Sequence, residues 1–167
     1  ETIHSNCSPD AVGALTVHPV WLEAGSYNRV SITVSVAAVS VWRLGIYYDL
    51  GSLSPGSLLL DAGTLDLNSG TGERYLTVSF VAPSNGVYWA ANQLVSYTAR
   101  PSVVGWNGAT GGTPYLPWLG HRCIVNPGGR GQWVYRKTGT NTASLPATFP
   151  SGAALSDQSP QIAFRRV

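Results

Sequence analysis

The sequence predicts an all-β domain: an antiparallel β-sandwich, jelly-roll-like, with one long loop rich in Gly and aromatic residues. Composition is the first reason. The 167 residues include 19 Gly and 11 Pro but no Met and a single lysine, Lys137, so short elements joined by turns fit better than long helices, which draw on Ala, Glu, Lys, Leu and Met. Alternation is the second, since apolar and polar residues exchange at period two through the clearest segments. The third is rhythm: such segments recur roughly every dozen residues with turn chemistry between them. At 17.7 kDa the chain is read as one domain over 1–167, long enough to bury a core without staples.

Residues 1–29 are expected to supply a lead-in segment and a first strand. In RVSITVSVAAV, Val30, Ile32, Val34 and Val36 point one way and Arg29, Ser31, Thr33 and Ser35 the other. A turn near Ala38 to Ser40 then divides this strand from VSVWRLGIYYDL, where Trp42, Leu44, Ile46 and Tyr48 alternate with Arg43, Gly45 and Tyr47, until Pro55-Gly56 breaks the pattern. LLLDAGTLDL follows, then the turn string NSGTGE, then RYLTVSF with Leu76, Val78 and Phe80 on one face, then APSNG and VYWAANQL. Residues 87–100 hold no Gly or Pro, and Val87, Ala91, Leu94, Val95 and Thr98 would also make a helical stripe. Tyr88, Trp89, Val95, Tyr97 and Thr98 are strand formers, so two short strands are expected there. Residues 101–131 read as a long ordered excursion, because they contain many glycines, little alternation, and Trp106, Tyr115 and Trp118. QWVYRKT returns as a strand, NTASLPATFPSGAALSDQSP reads as a Pro-punctuated connection, and QIAFRRV as a final strand. No repeat of fixed period appears, which sets aside solenoids and propellers.

Charge and cysteine usage narrow the partners. Ten basic against eight acidic residues leave a formal +2, and the local basic clusters Arg136-Lys137 and Arg165-Arg166 are too small to neutralise a tract of phosphates, so no nucleic-acid partner is expected. No run of about 18 apolar residues occurs, and the start ETIHSNCSPD lacks the basic and apolar regions of a signal peptide, so no membrane insertion is expected. Cys7 and Cys123 are the two cysteines. Without a C-x-x-C or a neighbouring His cluster they do not read as a zinc site, and they are either one disulfide or two partly buried thiols.

The residues that could carry chemistry are few. No G-x-S-x-G occurs, and His4, His18 and His121 have no adjacent pattern that predicts a triad partner. Asp49, Asp61, Asp66 and Glu73 fall within one stretch and could serve a glycosidase, but Asp49 precedes a turn, Asp61 precedes Ala-Gly and Glu73 sits in a Gly-rich turn, all places where carboxylates satisfy backbone amides. No calcium-loop pattern is present. Neither a metal nor a cofactor is therefore expected, and no catalytic residue is assigned. The six Trp and eight Tyr are more suggestive, because aromatic rings give rigid amphipathic contact surface. Trp42, Trp89 and Trp133 lie in strand patterns and read as core. Trp106, Asn107, Tyr115, Trp118, His121 and Arg122, in Gly/Pro-rich surroundings, are the candidate ligand-binding residues.

The motifs WRLGIYYDL, SPGSLLLDAGTLDL, TGERYLTVSF and GVYWAA, with the closing SLPATFPSGAAL and SPQIAFRRV, resemble the C-terminal β-domain of bacteriophage minor tail and tail-fibre proteins. The resemblance covers most of Val30 to Val167 and is weaker before Val30 and through Gly111 to Gly131. It implies a jelly-roll-like sandwich at the tip of a viral tail appendage, usually trimeric, in contact with the host surface. Arg43, Gly45, Asp61, Gly63, Tyr88 and Trp89 match its pattern as structural positions, and no catalytic residues come with it. Assembly of such proteins in a reducing cytoplasm agrees with thiols at Cys7 and Cys123.

The function expected is thus attachment of a virion to the host cell surface, through a glycan, by a homotrimer joined to the rest of a tail fibre or tail tip. The alternatives are a structural or decoration domain of the virion that binds no receptor, and a glycan-cleaving depolymerase.

Overall fold

The computed structural model describes residues 5–7, 11–51, 53–107, 134–156 and 158–167. Twelve strands and no helix occur among them: β1 (Ser5–Cys7), β2 (Leu15–Leu22), β3 (Gly25–Val36), β4 (Ser40–Asp49), β5 (Pro55–Asp66), β6 (Gly72–Ala82), β7 (Gly86–Tyr97), β8 (Ser102–Asn107), β9 (Val134–Lys137), β10 (Ala154–Ser156), β11 (Gln158–Pro160) and β12 (Ile162–Arg166). They form two six-stranded antiparallel sheets packed face to face, the β-sandwich that composition and alternation predict. Sheet B has the order β10-β9-β2-β7-β4-β5. In sheet A, β3 has β6 along one edge, while its other edge is met first by β12 and, beyond Val34, by β8; β1 and β11 add to β8.

Alternation fills the space between the sheets. Val30, Ile32 and Val34 from β3, Trp42 and Leu44 from β4, Leu65 from β5, Ala90 and Leu94 from β7, Val103 and Ile162 make one buried cluster. Tyr27, Ile46, Phe80 and Tyr88 extend it, with the Tyr27 and Phe80 rings stacked at 5.1 Å. Burial of each large side chain here is worth about 1.5–3 kcal/mol. The expected turn after β3 and the inward faces of β3, β4 and β6 agree with the sequence reading, except at Val36, which is exposed because the register shifts between Val34 and Val36.

Four expectations are corrected, the first being that the connection expected over residues 141–160 carries the strands β10 and β11 at its end. Residues 87–100 are not two short strands, because Gly86–Tyr97 runs as the single strand β7. Tyr88, Ala90 and Leu94 face sheet A while Trp89 and Ala91 belong to a second apolar cluster on the opposite side, and a strand buried on both faces shows no alternation. The excursion expected from residue 101 starts later, since Ser102–Asn107 pairs with β1, β3 and β11 as β8. Glu73 lies in β6 rather than in a turn.

The second apolar cluster exists because the outer face of sheet B is covered. Residues 138–153, between β9 and β10, cross this face as a strap, and Leu145 and Phe149 pack on Leu15, Val17, Tyr47, Trp89 and Ala91. The rings of Tyr47 and Phe149 meet edge to face at 5.8 Å, and Trp89 lies 5.4 Å from Tyr135. Backbone bonds fasten the strap to β5: the Leu58 amide donates to the Ala147 carbonyl (2.8 Å) and the Phe149 amide to that of Gly56 (2.9 Å). At the near end the Gln93 amide group donates to the Asn141 carbonyl (2.9 Å), and the Thr140 hydroxyl to that of Gly13 (2.7 Å).

Candidate functional site

Of the six ligand-binding candidates, Trp106 and Asn107 end β8 and the other four fall in the excursion between β8 and β9. Tyr115, Trp118, His121 and Arg122 lie outside the described residues, as do Cys123 and Trp133, and Trp106 and Asn107 are placed by backbone alone, as the end of β8. What the structure does show is how both roots of the excursion are held. Val134 opens β9 and pairs with Ser156 of β10. Trp106 and Asn107 close β8 and pair with Ser159 and Gln158 of β11. β9 is held in sheet B by β2 and β8 in sheet A by β3 and β1, and the one stretch Ala154–Pro160 adds an outer strand to each root.

A polar contact across the interior ties that stretch down. His18 of β2 is buried between the sheets, and its Nδ1 lies 2.7 Å from the Oγ of the fully buried Ser159. The Ser159 Oγ also lies 3.2 Å from the Pro160 carbonyl oxygen, and the tautomer of the ring sets which partner donates in the bond between Nδ1 and Oγ. Burial lowers the His18 pKa to about 4, because a charged ring would have to be desolvated. The arrangement is a cross-sheet tie, with a serine that solvent cannot reach. Sequence reasoning missed β2 beyond its existence as a first strand: Leu15 and Val17 face the strap while Leu22 faces sheet A, so LTVHPVWL does not alternate. Pro19 is tolerated because β9 accompanies β2 over Leu15–Val17 only, leaving Pro19 a neighbour on one side.

The carboxylates considered for hydrolysis are framework groups. Asp61 accepts Arg43 Nη1 on both oxygens (3.0 Å each), the Gly63 amide on Oδ1 (3.0 Å) and the Leu145 amide on Oδ2 (2.9 Å). Each oxygen thus has two donors, and the group joins β4, the bulge of β5 and the strap. That bulge appears as a register shift between Leu44 and Gly45, opposite Gly63 and Asp61. Gly63 takes φ +91° there, a conformation that glycine adopts without cost. Gly45 is needed for another reason: a Cβ there would collide with the Leu145 Cδ1 and lie 2.6 Å from the Leu60 carbonyl oxygen. Asp49 accepts the Trp89 indole N–H (2.8 Å) and the Gly51 amide (2.8 Å). The Tyr47 hydroxyl donates to the Pro146 carbonyl (3.0 Å), and burial together with the Asp61 charge pushes its pKa far up, so it remains a donor. Five positions carried by the resemblance, Arg43, Gly45, Asp61, Gly63 and Trp89, therefore serve the joint between sheet B and its strap, while the Tyr88 hydroxyl donates to the Ser84 carbonyl (2.9 Å).

The outer face of sheet A is different. Among the described residues no strap crosses it, and Tyr75, Thr33, Thr77 and Arg165 are exposed. Arg29 stands on this face with its guanidinium 3.9 Å from the Tyr75 ring centroid, and Arg29 Nη1 is 3.9 Å from Glu73 Oε2. Among the described residues no three His, Cys, Asp or Glu side chains gather in a group that could hold a metal ion.

Comparison with known proteins adds no relative: no family model matches the chain, and neither the curated proteins nor the solved structures contain a match.

Proposed function

We propose that this chain is a recognition module, the receptor-binding domain of a bacteriophage tail appendage, which attaches the virion to a host-surface glycan as a homotrimer. The observation that carries the reading is the double anchorage of the excursion. Its two roots are ladder strands of opposite sheets, β8 against β3 and β9 against β2, and both also pair with the stretch Ala154–Pro160; a binding loop gains affinity when a rigid frame removes the entropy its ends would otherwise lose. The excursion brings Tyr115, Trp118 and His121 beside many glycines, the side chains that sugar recognition uses. Asp49 and Asp61, the acids nearest to a hydrolytic pattern, are committed to the frame, which supports binding over cleavage. The resemblance of the strand motifs to phage tail domains supplies the biological setting.

The test is saturable binding of the fluorescently labelled protein to a panel of bacterial cells, with its mass in solution measured on the same sample. The expected result is binding by a species of three chains, lost in Trp118→Ala and His121→Ala. Failure to bind any host, or variants that attach as well as the parent, would overturn it.

A further inference from the structure

The bare face of sheet A carries a charge arrangement that the frame does not use. Arg29 of β3 and Arg165 of β12 are direct cross-strand partners, and both project outward, because Val30 and Phe164 beside them pack inward. Like charges directly opposite, with Cβ atoms about 5 Å apart, repel and destabilise the pair unless an anion lies between them. Glu73 answers Arg29 alone, at 3.9 Å and from an exposed position, and Arg165 has no ion pair among the described residues. The guanidinium of Arg29 is also oriented by the Tyr75 ring beneath it, and that ring is 48% exposed. Thr77 is the other cross-strand neighbour of Arg29, and Thr33 that of Glu73, so exposed hydroxyls flank the charges.

We infer that the outer face of sheet A binds an anionic polysaccharide, with an acidic group between Arg29 and Arg165 and a sugar ring against Tyr75. Charge complementarity selects the anion, since two guanidinia, that of Arg29 oriented by Tyr75, meet one partly engaged carboxylate. The exposed phenol and the flanking threonine hydroxyls select a sugar over an acidic peptide, because a pyranose offers both an apolar C–H face and hydroxyls at regular spacing. This site goes beyond the proposed attachment loop and requires neither that loop nor its receptor.

The experiment is calorimetric titration of the full chain with oligogalacturonate, neutral dextran and polyglutamate at low and high salt. Oligogalacturonate should bind saturably and lose affinity as salt rises, dextran should give no signal, and polyglutamate should bind more weakly at equal charge. Arg165→Gln should lower oligogalacturonate affinity about tenfold or more, as expected for loss of a charge-assisted hydrogen bond, and Tyr75→Ala should also weaken it, neither with a marked fall in melting temperature. No oligogalacturonate binding, equal binding by Arg165→Gln, or polyglutamate binding as tightly as the sugar would overturn the assignment. Trp118→Ala separates the two readings. If it loses cell attachment and keeps oligogalacturonate binding, the face acts independently of the loop; if it loses oligogalacturonate binding while Arg165→Gln keeps it, the anion site is in the loop and the inference fails.

Discussion

The two outer faces of the sandwich have opposite fates. On sheet B, Leu15, Val17, Tyr47, Trp89 and Ala91 are apolar and a strap covers them; on sheet A, Thr33, Tyr75, Thr77 and Arg165 are left to solvent. The difference teaches where this chain spends its specificity. An apolar outer face must be covered, so sheet B takes on Asp61, Gly45 and the Tyr47 hydroxyl as fixtures for its cover, and these positions become unavailable for anything else. A polar outer face makes no such demand, and residues there are free to serve a ligand.

Substitutions should divide along the same line. The largest loss is expected at Leu145→Ala, which opens a cavity between strap and sheet and should cost about 3–4 kcal/mol in denaturant unfolding. Proteolysis within residues 138–153 should accelerate with it; a variant as stable as the parent would mean that the strap adds nothing to sheet B.

Acid should act between the layers. The His18 pKa, about 4 in the folded chain, lies below its unfolded value near 6.5, so the unfolded state takes up the proton first. The contribution of neutral His18 is therefore complete above pH 6.5 and is lost as the pH falls from there to about 4, an effect on the order of 3 kcal/mol. Denaturant midpoints across that window should show the slope, and His18→Gln should flatten it. An unchanged slope in that variant would assign the acid sensitivity to other groups.

Asp61→Ala leaves Arg43, only 14% exposed, and the Leu145 amide without their acceptor, and should cost about 2–3 kcal/mol, below the figure for a fully buried pair because Asp61 keeps some solvent. Tyr75→Ala is the smallest, within about 0.5 kcal/mol, as for a surface side chain that supports no packing. Loss of more than 1.4 kcal/mol there, a tenfold change in the folding constant, would erase the distinction between the faces.

The sequence disclosed the strands whose two faces differ. β3, β4 and β6 alternate because one side is core and the other is solvent, strap or hydroxyl row, and Val30, Ile32, Val34, Trp42, Leu44, Ile46, Leu76 and Val78 could be assigned inward from it. Trp42 and Trp89 proved to be core, as their strand patterns suggested. β2 and β7 were harder to read, because a strap buries their second face and removes the period-two signal. That strap was legible only as a connection, since its contacts with sheet B join residues far apart in the chain, such as Leu145 to Asp61. Asp49 and Asp61 were read correctly as acceptors of turn amides; their second tasks, on Trp89 and Arg43, depend on neighbouring strands and left no local trace. Arg29, Tyr75 and Arg165 meet through strand order, and nothing local in the sequence brings residue 29 to residue 165.

That last pairing sets a clock on synthesis. β3 is finished early, yet its edge along Tyr27–Ile32 is completed only when residues 162–166 arrive. At about 5–20 residues per second a ribosome takes roughly 6 to 25 seconds over the interval. Throughout it the nascent chain displays an unpaired strand edge next to Val30 and Ile32, the kind of edge that templates association between chains. Deletion of residues 162–166 should therefore yield an aggregating chain.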